Sequence, residues 1–499
     1  MNMKQGITIK INFRGGIVSP GDLYNILIAA TRAGVNHVSF GLRQQLLINL
    51  AADTVEVLTD ELKKLDIPFE SDGDEFPNII SSYAAEEVFI HNTWLSEGVY
   101  KDIFDGMDYQ PRLKINISDS NQSFTPMLTG NINWVASSKA QHFWHLFIRF
   151  PKTNVIYQWT EMVYTNDVPK VSKEIETLIF DYKDEFYGND LASGNKLFEK
   201  MPTGKFITKP SEKPASLPAF NLPYYEGLNR YNNKYWLGVY RRDELFNVDF
   251  LKELCLLCLD TKIGQICSTP WKSVIVKGIE EKDRLTWNRL LEKYQVNMRH
   301  AANELNFQVE DNCHEGLKLK NYLVKQLNDG DTRTFGVCIG IKTRKKSEVF
   351  SSILVKRRPL ISIFGIDMFY VYDILCAHDF NPNERTGFIF SSNNPKFLLG
   401  EQLRRSVVAF YNSRDNKNII TAKEPALVKK APKNATIEYV FQCKHCLTVY
   451  DDATGEPENK IDAGTAFEQL SNDYTCPLCE ASKADFVKTE KNRLGLQSV

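Results

Sequence analysis

The sequence lacks a long apolar run. Its 499 residues contain no uncharged apolar stretch of about 18 residues, which is the length that a membrane-spanning helix requires. The first residues, MNMKQGITIKINF, lack the basic region and continuous apolar core of a secretory signal peptide, and they alternate apolar and polar residues as a half-buried strand does. We therefore expect a cytoplasmic protein that does not bind a membrane.

An excess of charge of one sign is also missing. The 61 Lys and Arg residues nearly balance the 62 Asp and Glu residues, the formal net charge is −1, and we expect no nucleic-acid partner. The balance is uneven, because eleven acidic and four basic residues between Glu438 and Glu490 give this segment a charge of −7. Lys491 and Arg493 add +2 after it, and residues 1–437 carry +4. An acidic segment beside a mildly basic body favours electrostatic docking to a protein partner.

The chain is too long for one hydrophobic core, and its length suggests about three domains. Two segments rich in Pro, Ser and Lys, 201–223 and 423–434, have no sustained apolar period and are predicted to be linkers. The predicted domains are residues 1–205, 220–415 and 436–490.

A repeat with a fixed spacing of 228 residues relates the first two predicted domains. Each copy is predicted to form a helix, a short strand and a second amphipathic helix. The alternative is a chance match between two segments of this common type. The matched pairs are Leu23 and Leu251, Leu27 and Cys255, Arg43 and Trp271, and Leu62 and Leu290.

The ten cysteines do not form the pattern of a disulfide framework, and four of them occur as two CxxC pairs near the C-terminus. Two such pairs converge on a tetrahedral site of four thiolates, which suits iron or zinc. A third CxxC, Cys255 and Cys258, lies on a predicted apolar helix, where buried thiols are expected rather than ligands. The C-terminal pairs are Cys443 and Cys446, then Cys476 and Cys479 after 29 residues.

The segments around these pairs, YDDATGEP, IDAGTAFEQL, NDYTCPLC and ASKADF, resemble those of rubredoxins. The resemblance implies one iron ion per chain, held by all four thiolates and cycling between Fe(II) and Fe(III). The alternative is a zinc ribbon that only stabilises its domain, although zinc ribbons usually have about 15–20 residues between the pairs. The aromatic residues expected to fill so small a core are Tyr439, Tyr450, Phe467, Tyr474 and Phe486.

Two positions depart from the rubredoxin pattern. Leu447 and Glu480 stand where a glycine normally follows the second cysteine of each pair, and glycine there relieves a strained backbone. Glu480 also places a negative charge near an anionic centre, which should favour the oxidised ferric state.

Residues 5–410 resemble the sirohaem-containing nitrite and sulfite reductases. The resemblance rests on GGIVSPGDLYNILIAATRAGVNHVSFGLRQQLLINL, which contains Arg43-Gln44, on YQPRLKINIS, which contains Lys114, and on STPWKSVIV in the second copy. It implies an α+β protein in which two pseudo-symmetric α/β halves precede the small metal-binding domain. It also implies that Arg43 and Lys114 are remnants of an anion and sirohaem site.

The residues that would complete a reductase centre are missing. The family supplies the four thiolates of its iron–sulfur cluster as C-x5-C and C-x3-C, whereas Cys313 and Cys338 occur singly here. Pro77 stands before Asn78, where the resemblance implies an arginine, and proline offers neither charge nor an N–H group. We therefore expect neither sirohaem nor a 4Fe-4S cluster.

The sequence thus predicts an electron-transfer protein. Its reductase-like halves would dock a redox partner, such as a reductase or a ferredoxin or rubredoxin reductase, and the resemblance suggests nitrate or nitrite assimilation as the setting. Two alternatives remain open at this point: a sirohaem-dependent nitrite or sulfite reductase with a fused rubredoxin donor, and a zinc-stapled scaffold without redox activity.

Overall fold

The computed structural model describes residues 6–90, 93–202, 204–215, 217–344, 349–363, 366–384, 386–421, 439–445, 448–456, 459, 461–477 and 479–490. The chain divides into two compact units, residues 1–418 and 419–499. The predicted linker 423–434 lies outside the described residues. Within the described ranges, no helix combines the length and apolar character needed to cross a membrane.

Unit 1 contains strands and helices in alternation. Residues 7–71 form β1 (Ile7–Ile11), β2 (Ile17–Val18), α1 (Pro20–Arg32), β3 (His37–Phe40), β4 (Leu46–Leu50), α2 (Val55–Lys64) and β5 (Glu70–Ser71). Residues 80–210 form β6 (Ile80–Ser81), α3 (Glu97–Asp105), β7 (Ile115–Ser118), β8 (Ile132–Ala136), β9 (Phe143–Arg149), β10 (Ile156–Tyr164), α4 (Val168–Asp181), α5 (Lys183–Phe186), α6 (Gly194–Glu199) and β11 (Thr208–Pro210).

The same kinds of element return in the second part of unit 1. Residues 227–305 form β12 (Gly227–Tyr231), β13 (Lys234–Val239), β14 (Phe246–Asn247), α7 (Val248–Asp260), β15 (Ile266–Ser268), β16 (Val274–Ile279), α8 (Arg284–Lys293) and α9 (Ala302–Leu305). The remaining elements are β17 (Phe307–Val309), α10 (His314–Asp329), β18 (Ile339–Lys342), β19 (Ile353–Ile363), β20 (Ile366–Ala377), β21 (Gly387–Asn394) and α11 (Lys396–Thr421), which ends in unit 2.

The 228-residue spacing is confirmed by helices α1 and α7, which each have 13 residues and begin 228 residues apart. Their N-caps also correspond. The side chain of Ser19 accepts a hydrogen bond from the backbone N–H of Asp22 at 3.0 Å, and the side chain of Asn247 accepts one from Phe250 at 2.9 Å. Each cap satisfies an N–H group that the helix leaves unpaired, and it therefore fixes where the helix begins.

The two copies exchange edge strands. The first five-stranded sheet has the order β14-β3-β4-β1-β5, and the second has the order β12-β13-β16-β15-β2. Phe246 of β14 pairs with Val38, and Val18 of β2 pairs with Ile266. These two pairs are equivalent under the 228-residue shift, so the pseudo-symmetry extends to the strand register.

A second pair of sheets repeats one pattern of strand directions. The six-stranded sheet has the order β11-β10-β9-β8-β7-β6, and the five-stranded sheet has the order β17-β18-β19-β20-β21. In both sheets the first two pairings in chain order are parallel and the following pairings are antiparallel. The predicted fold class, with two pseudo-symmetric α/β halves, is confirmed.

The segment 201–223 differs from the predicted free linker. It contributes β11 to the edge of the six-stranded sheet, where Lys209 pairs with Met162, and it buries Phe220 and Leu222. An edge strand needs partners on one side only, which explains how a segment so rich in proline can join a sheet. A composition rich in Pro, Ser and Lys is therefore compatible with an edge strand as well as with a linker.

Unit 2 contains one described sheet of order β23-β22-β24. Its strands are β22 (Tyr439–Cys443), β23 (Val449–Tyr450) and β24 (Phe486–Glu490).

Candidate metal centre

Two turns, which begin at Cys443 and at Cys476, carry the described candidate ligands in unit 2. The backbone N–H of Cys443, at the end of β22, donates to the carbonyl of Thr448 at 2.8 Å, and the backbone N–H of Cys476 donates to the carbonyl of Ala481, also at 2.8 Å. Each bond spans five residues and encloses one CxxC pair. The described cysteines Cys443, Cys476 and Cys479 therefore lie at two turns that are closed by equivalent hydrogen bonds.

Three sulfur atoms converge between these turns. The Sγ atoms of Cys443, Cys476 and Cys479 lie within 4.8 Å of one another, and those of Cys443 and Cys479 are 3.6 Å apart. Tetrahedral ligands about 2.3 Å from a metal ion lie about 3.8 Å from each other, so this spacing fits a metal ion bound by thiolates. Cys446 lies outside the described residues.

Burial differs among the three cysteines. Cys443 and Cys476 are buried, whereas Cys479 is exposed. The site therefore has one edge toward solvent.

Aromatic side chains fill the space beside this site. The rings of Phe441 and Phe467 stack with their centroids 4.1 Å apart, and Tyr450, Tyr474 and Phe486 surround Phe467. Four of the five predicted core aromatics are thus found together. Tyr439 is the exception, because it begins β22 and is 43% exposed, and Phe441 takes the core position instead.

Glu480 adopts a backbone conformation that favours glycine. Its φ angle is +58°, in the left-handed region where a side chain meets the backbone and costs about 1–2 kcal/mol. Its backbone N–H donates to the carbonyl of Cys476 at 2.9 Å, which helps to close the second turn. The sequence reasoning that placed a glycine-type turn here agrees with this geometry.

A carboxylate lies beside the first turn. The hydroxyl of Ser482 donates to Asp485 at 2.8 Å, and this hydrogen bond lowers the pKa of Asp485. The backbone N–H of Lys444 donates to the carbonyl of Asp485 at 2.9 Å. Asp485 therefore stays ionised at neutral pH and adds to the negative charge of unit 2.

Arg43 and Lys114 line one crevice of about 470 Å³ in unit 1. The Arg43 guanidinium donates through Nη2 to the carbonyls of Asn78, at 2.6 Å, and Ile115, at 3.0 Å. Its Nε also donates to Asn78, at 3.0 Å. The structure thus brings the two residues together, and it uses much of the Arg43 guanidinium to join β7 to the chain before β6.

A buried lysine stands at the position equivalent to Gln44. Lys272 lies 228 residues after Gln44, and both have positive φ angles, 54° and 61°. Its Nζ lies 2.6 Å from Glu244 and 3.3 Å from Asp311. Burial alone would lower the pKa of Lys272, but these two carboxylates outweigh burial and raise it. Sequence reasoning missed this group, although the repeat spacing points to residue 272.

Gln44 makes neutral contacts at the corresponding place. Its Nε2 donates to the carbonyls of Ser81, at 3.2 Å, and Ser268, at 3.0 Å, and its Oε1 accepts from the backbone N–H of Ser81 at 2.8 Å. The first copy therefore has an amide side chain, Gln44, at the position where the second copy has a charged lysine, Lys272, with two carboxylate partners.

The thiols of unit 1 do not form a second ligand set. The Sγ of Cys313 accepts a hydrogen bond from the backbone N–H of Gly316 at 3.3 Å and caps α10. The Sγ of Cys338 accepts one from Ser352 at 3.1 Å. Burial raises the pKa of Cys255 to about 12, as expected for a core thiol. Among the described residues of unit 1, no three cysteines lie within ligand distance of one another.

Comparison with known proteins assigns unit 2. The family model Rubredoxin matches residues 440–486. Rubredoxin 4 of Rhodococcus sp. (strain Q15) is 41% identical over 54 residues, which are 11% of this chain and 90% of that protein. Rubredoxin-2 of Chlorobaculum tepidum is 44% identical over 48 residues, or 10% of this chain and 92% of that protein. The high molecular weight rubredoxin of Moorella thermoacetica is 39% identical over 66 residues, or 13% of this chain and 29% of that protein.

A solved structure has the fold of most of the chain. The NirA protein of Mycobacterium tuberculosis superposes with a TM-score of 0.58 at 14% sequence identity, and the match covers 80% of each chain. The likeness establishes a NirA-like fold for most of the chain. A rubredoxin domain implies iron with cysteine ligands and a role in electron transfer. Through its C-terminal domain, this chain belongs to the rubredoxin family.

Proposed function

We propose that the protein is a one-electron carrier with a single iron ion in unit 2. The observation that supports this proposal is the convergence of three sulfur atoms within 4.8 Å on two matching turns of a rubredoxin domain. Cys446 is included as the fourth ligand because it completes the first CxxC pair in the sequence. The proposed ligands are Cys443, Cys446, Cys476 and Cys479.

The iron, when bound, supplies a one-electron couple between its ferric and ferrous states. The protein holds the sulfur atoms of buried Cys443 and Cys476 in a fixed arrangement, so that little rearrangement accompanies the change of charge. The exposed Cys479 offers the edge at which an electron enters or leaves. The adjacent carboxylates, including ionised Asp485, stabilise the more positive state of the centre.

For unit 1 we propose a scaffold that docks a redox partner and holds neither sirohaem nor a 4Fe-4S cluster. The thiols of Cys313 and Cys338 have local hydrogen-bond partners, and Arg43 is bonded to backbone carbonyls. The fold shared with NirA supports nitrate or nitrite assimilation as the setting. The six cysteines of unit 1, all of them described, are free thiols, which supports a cytoplasmic location.

Metal and sulfide analysis tests both parts. We expect one iron and no labile sulfide per chain, with thiolate-to-iron absorption that disappears on adding dithionite. One zinc and no iron would overturn the redox role in favour of the zinc-stapled scaffold. About five irons with labile sulfide would instead favour the reductase with a fused donor.

Matched cysteine variants locate the ligands. Cys476→Ser should lose the iron absorption, because it removes one of four thiolates. Cys255→Ala changes a buried thiol of α7 and should keep the full iron content. Equal iron loss in the two variants would contradict the assignment.

The salt dependence of electron transfer tests the protein partner. With a rubredoxin reductase as donor, the rate should fall as ionic strength rises, because the Debye length shrinks from about 10 Å at 0.1 M to about 3 Å at 1 M. Dithionite is an anion, and its reaction with the acidic domain should show the opposite trend. An electron-transfer rate from the protein donor that does not change with ionic strength would contradict electrostatic docking.

A further inference from the structure

A cavity of about 420 Å³ opens on one face of the six-stranded sheet, remote in sequence from the cysteine ligands and from Arg43. It adjoins Ser120, which follows β7, and the turn 137–140, which follows β8. These two strands are parallel, and crevices outside the carboxyl ends of parallel strands are frequent ligand sites. The volume is in the range of small-molecule sites.

The floor of the cavity is a row of side chains across four strands. Val135 pairs with His145, His145 with Met162, and Met162 with Lys209. Directly paired residues of neighbouring strands point to the same face of a sheet, so the four side chains share this face. The neighbouring row, which includes Trp144 and Val163, faces the hydrophobic core.

His145 provides a polar atom without a partner. Its Nδ1 is buried and has no hydrogen bond in the described part of the chain, and buried polar atoms in native proteins are nearly always hydrogen-bonded. Burial lowers the pKa of His145, so the ring is neutral and can present an N–H group. A ligand atom in the cavity would satisfy this nitrogen.

Three lysines, Lys139, Lys209 and Lys213, line the cavity together with one acidic residue, Glu212, so the lining keeps an excess of positive charge. None of the three has a carboxylate within ion-pair distance among the described residues. Other lysines of this region are paired, and the pairs are Lys170 with Asp167 at 3.3 Å, Lys173 with Asp108 at 3.0 Å, and Lys205 with Glu174 at 2.9 Å.

We propose that this cavity binds a small organic anion. Its phosphate or carboxylate group lies among Lys139, Lys209 and Lys213, and its apolar part covers Val135 and Met162, within reach of His145. Lysines act as point charges that bind either kind of anion, and the apolar floor favours a carbon framework over a bare inorganic ion.

Calorimetric titration with three probes tests the proposal: phenyl phosphate, benzoate and inorganic phosphate. The triple variant Lys139→Gln, Lys209→Gln, Lys213→Gln should bind phenyl phosphate or benzoate at least tenfold more weakly than the natural protein. The control is Lys170→Gln, Lys173→Gln, Lys205→Gln, which changes the net charge equally at three exposed lysines and should bind normally.

Preference for phenyl phosphate or for benzoate identifies the anionic group and supports the site. Binding of neither organic probe at about 10 mM, or binding of inorganic phosphate as tight as that of phenyl phosphate, overturns the organic-anion proposal. Equal weakening in both triple variants would show a general charge effect and would also overturn it. His145→Gln is an independent check. With all three lysines in place, this variant should still bind the organic probe more weakly than the natural protein.

Discussion

The two units are each stabilised in a different way. Unit 1 buries large side chains completely, and among them are Trp134, Trp144, Trp271 and Trp287. The core of unit 2 is one small aromatic cluster around Phe467, and a domain of about fifty residues buries too little surface to be stable on that basis alone. Apolar packing therefore determines the structure of unit 1, whereas unit 2 depends on the ligands of its metal centre.

Metal removal should have the largest effect and should be confined to unit 2. We expect loss of the metal to unfold residues 439–490, since binding to such small domains contributes about 10 kcal/mol. All seven tryptophans lie between residues 94 and 287, so tryptophan fluorescence reports on unit 1 alone. The urea midpoint of unit 1 should be unchanged, while the chemical-shift dispersion of the NMR signals of unit 2 should be lost. A shifted midpoint would show that the units depend on each other.

Removal of the buried lysine should be the most damaging of the single changes in unit 1. Lys272→Leu leaves buried Glu244 and half-buried Asp311 without their cation, and we expect a loss of about 3–5 kcal/mol in the free energy of unfolding. The matched change, Gln44→Leu, removes two hydrogen bonds to carbonyls and the acceptor of the Ser81 N–H, and it should cost about 1–3 kcal/mol. Urea unfolding followed by tryptophan fluorescence measures both, and the iron absorption should be unaffected. Equal losses of unfolding free energy in the two variants would mean that the charge of Lys272 does not contribute more than the amide of Gln44.

Glu86 should make the stability of unit 1 depend on pH. Burial raises its pKa to about 7, against the opposing charge of Lys277. The folded protein therefore holds a proton that the unfolded chain releases between pH 4.5 and 7, so stability falls as pH rises through this window. Relative to Glu86→Gln, the natural protein should lose about 2 kcal/mol after allowance for solvent screening. A constant difference from pH 4.5 to 8 would contradict the shift.

Glu480→Gly should have the smallest effect and should change only unit 2. Glycine relieves the positive φ angle, so the domain should gain about 1 kcal/mol. Loss of the negative charge should also raise the reduction potential. Thermal loss of the iron absorption and redox titration measure the two effects. Glu468→Gln, in the same domain, is a control for charge alone, and an equal rise in melting temperature there would exclude the backbone explanation.

The repeat predicted much of unit 1 because helices and their caps depend on local sequence. Leu23 and Leu251 mark the buried faces of α1 and α7, and the 228-residue shift finds both helices to the residue. The exchange of β2 and β14 could not be predicted, because a two-residue strand carries no alternation and its partner lies more than two hundred residues away.

The candidate sites also divide into those that local sequence predicts and those that depend on contacts between distant segments. The cysteine ligands follow from a short spacing within one domain, whereas the contact of Lys272 with Glu244 and Asp311 depends on three turns that only the fold brings together. The row that ends at Lys209 depends on a strand inside a segment whose composition indicates a linker. Interactions between distant segments leave little trace in a single sequence.

The exchanged strands also affect how the chain can fold during synthesis. The first sheet is complete only when residues 246–247 have emerged from the ribosome, and the second needs residues 227–279 beside a strand made at residues 17–18. A nascent chain must therefore keep the edge of β3 unpaired while some two hundred further residues are translated. Exposed strand edges promote aggregation, so the N-terminal copy should need protection by a chaperone until its partner copy has been made.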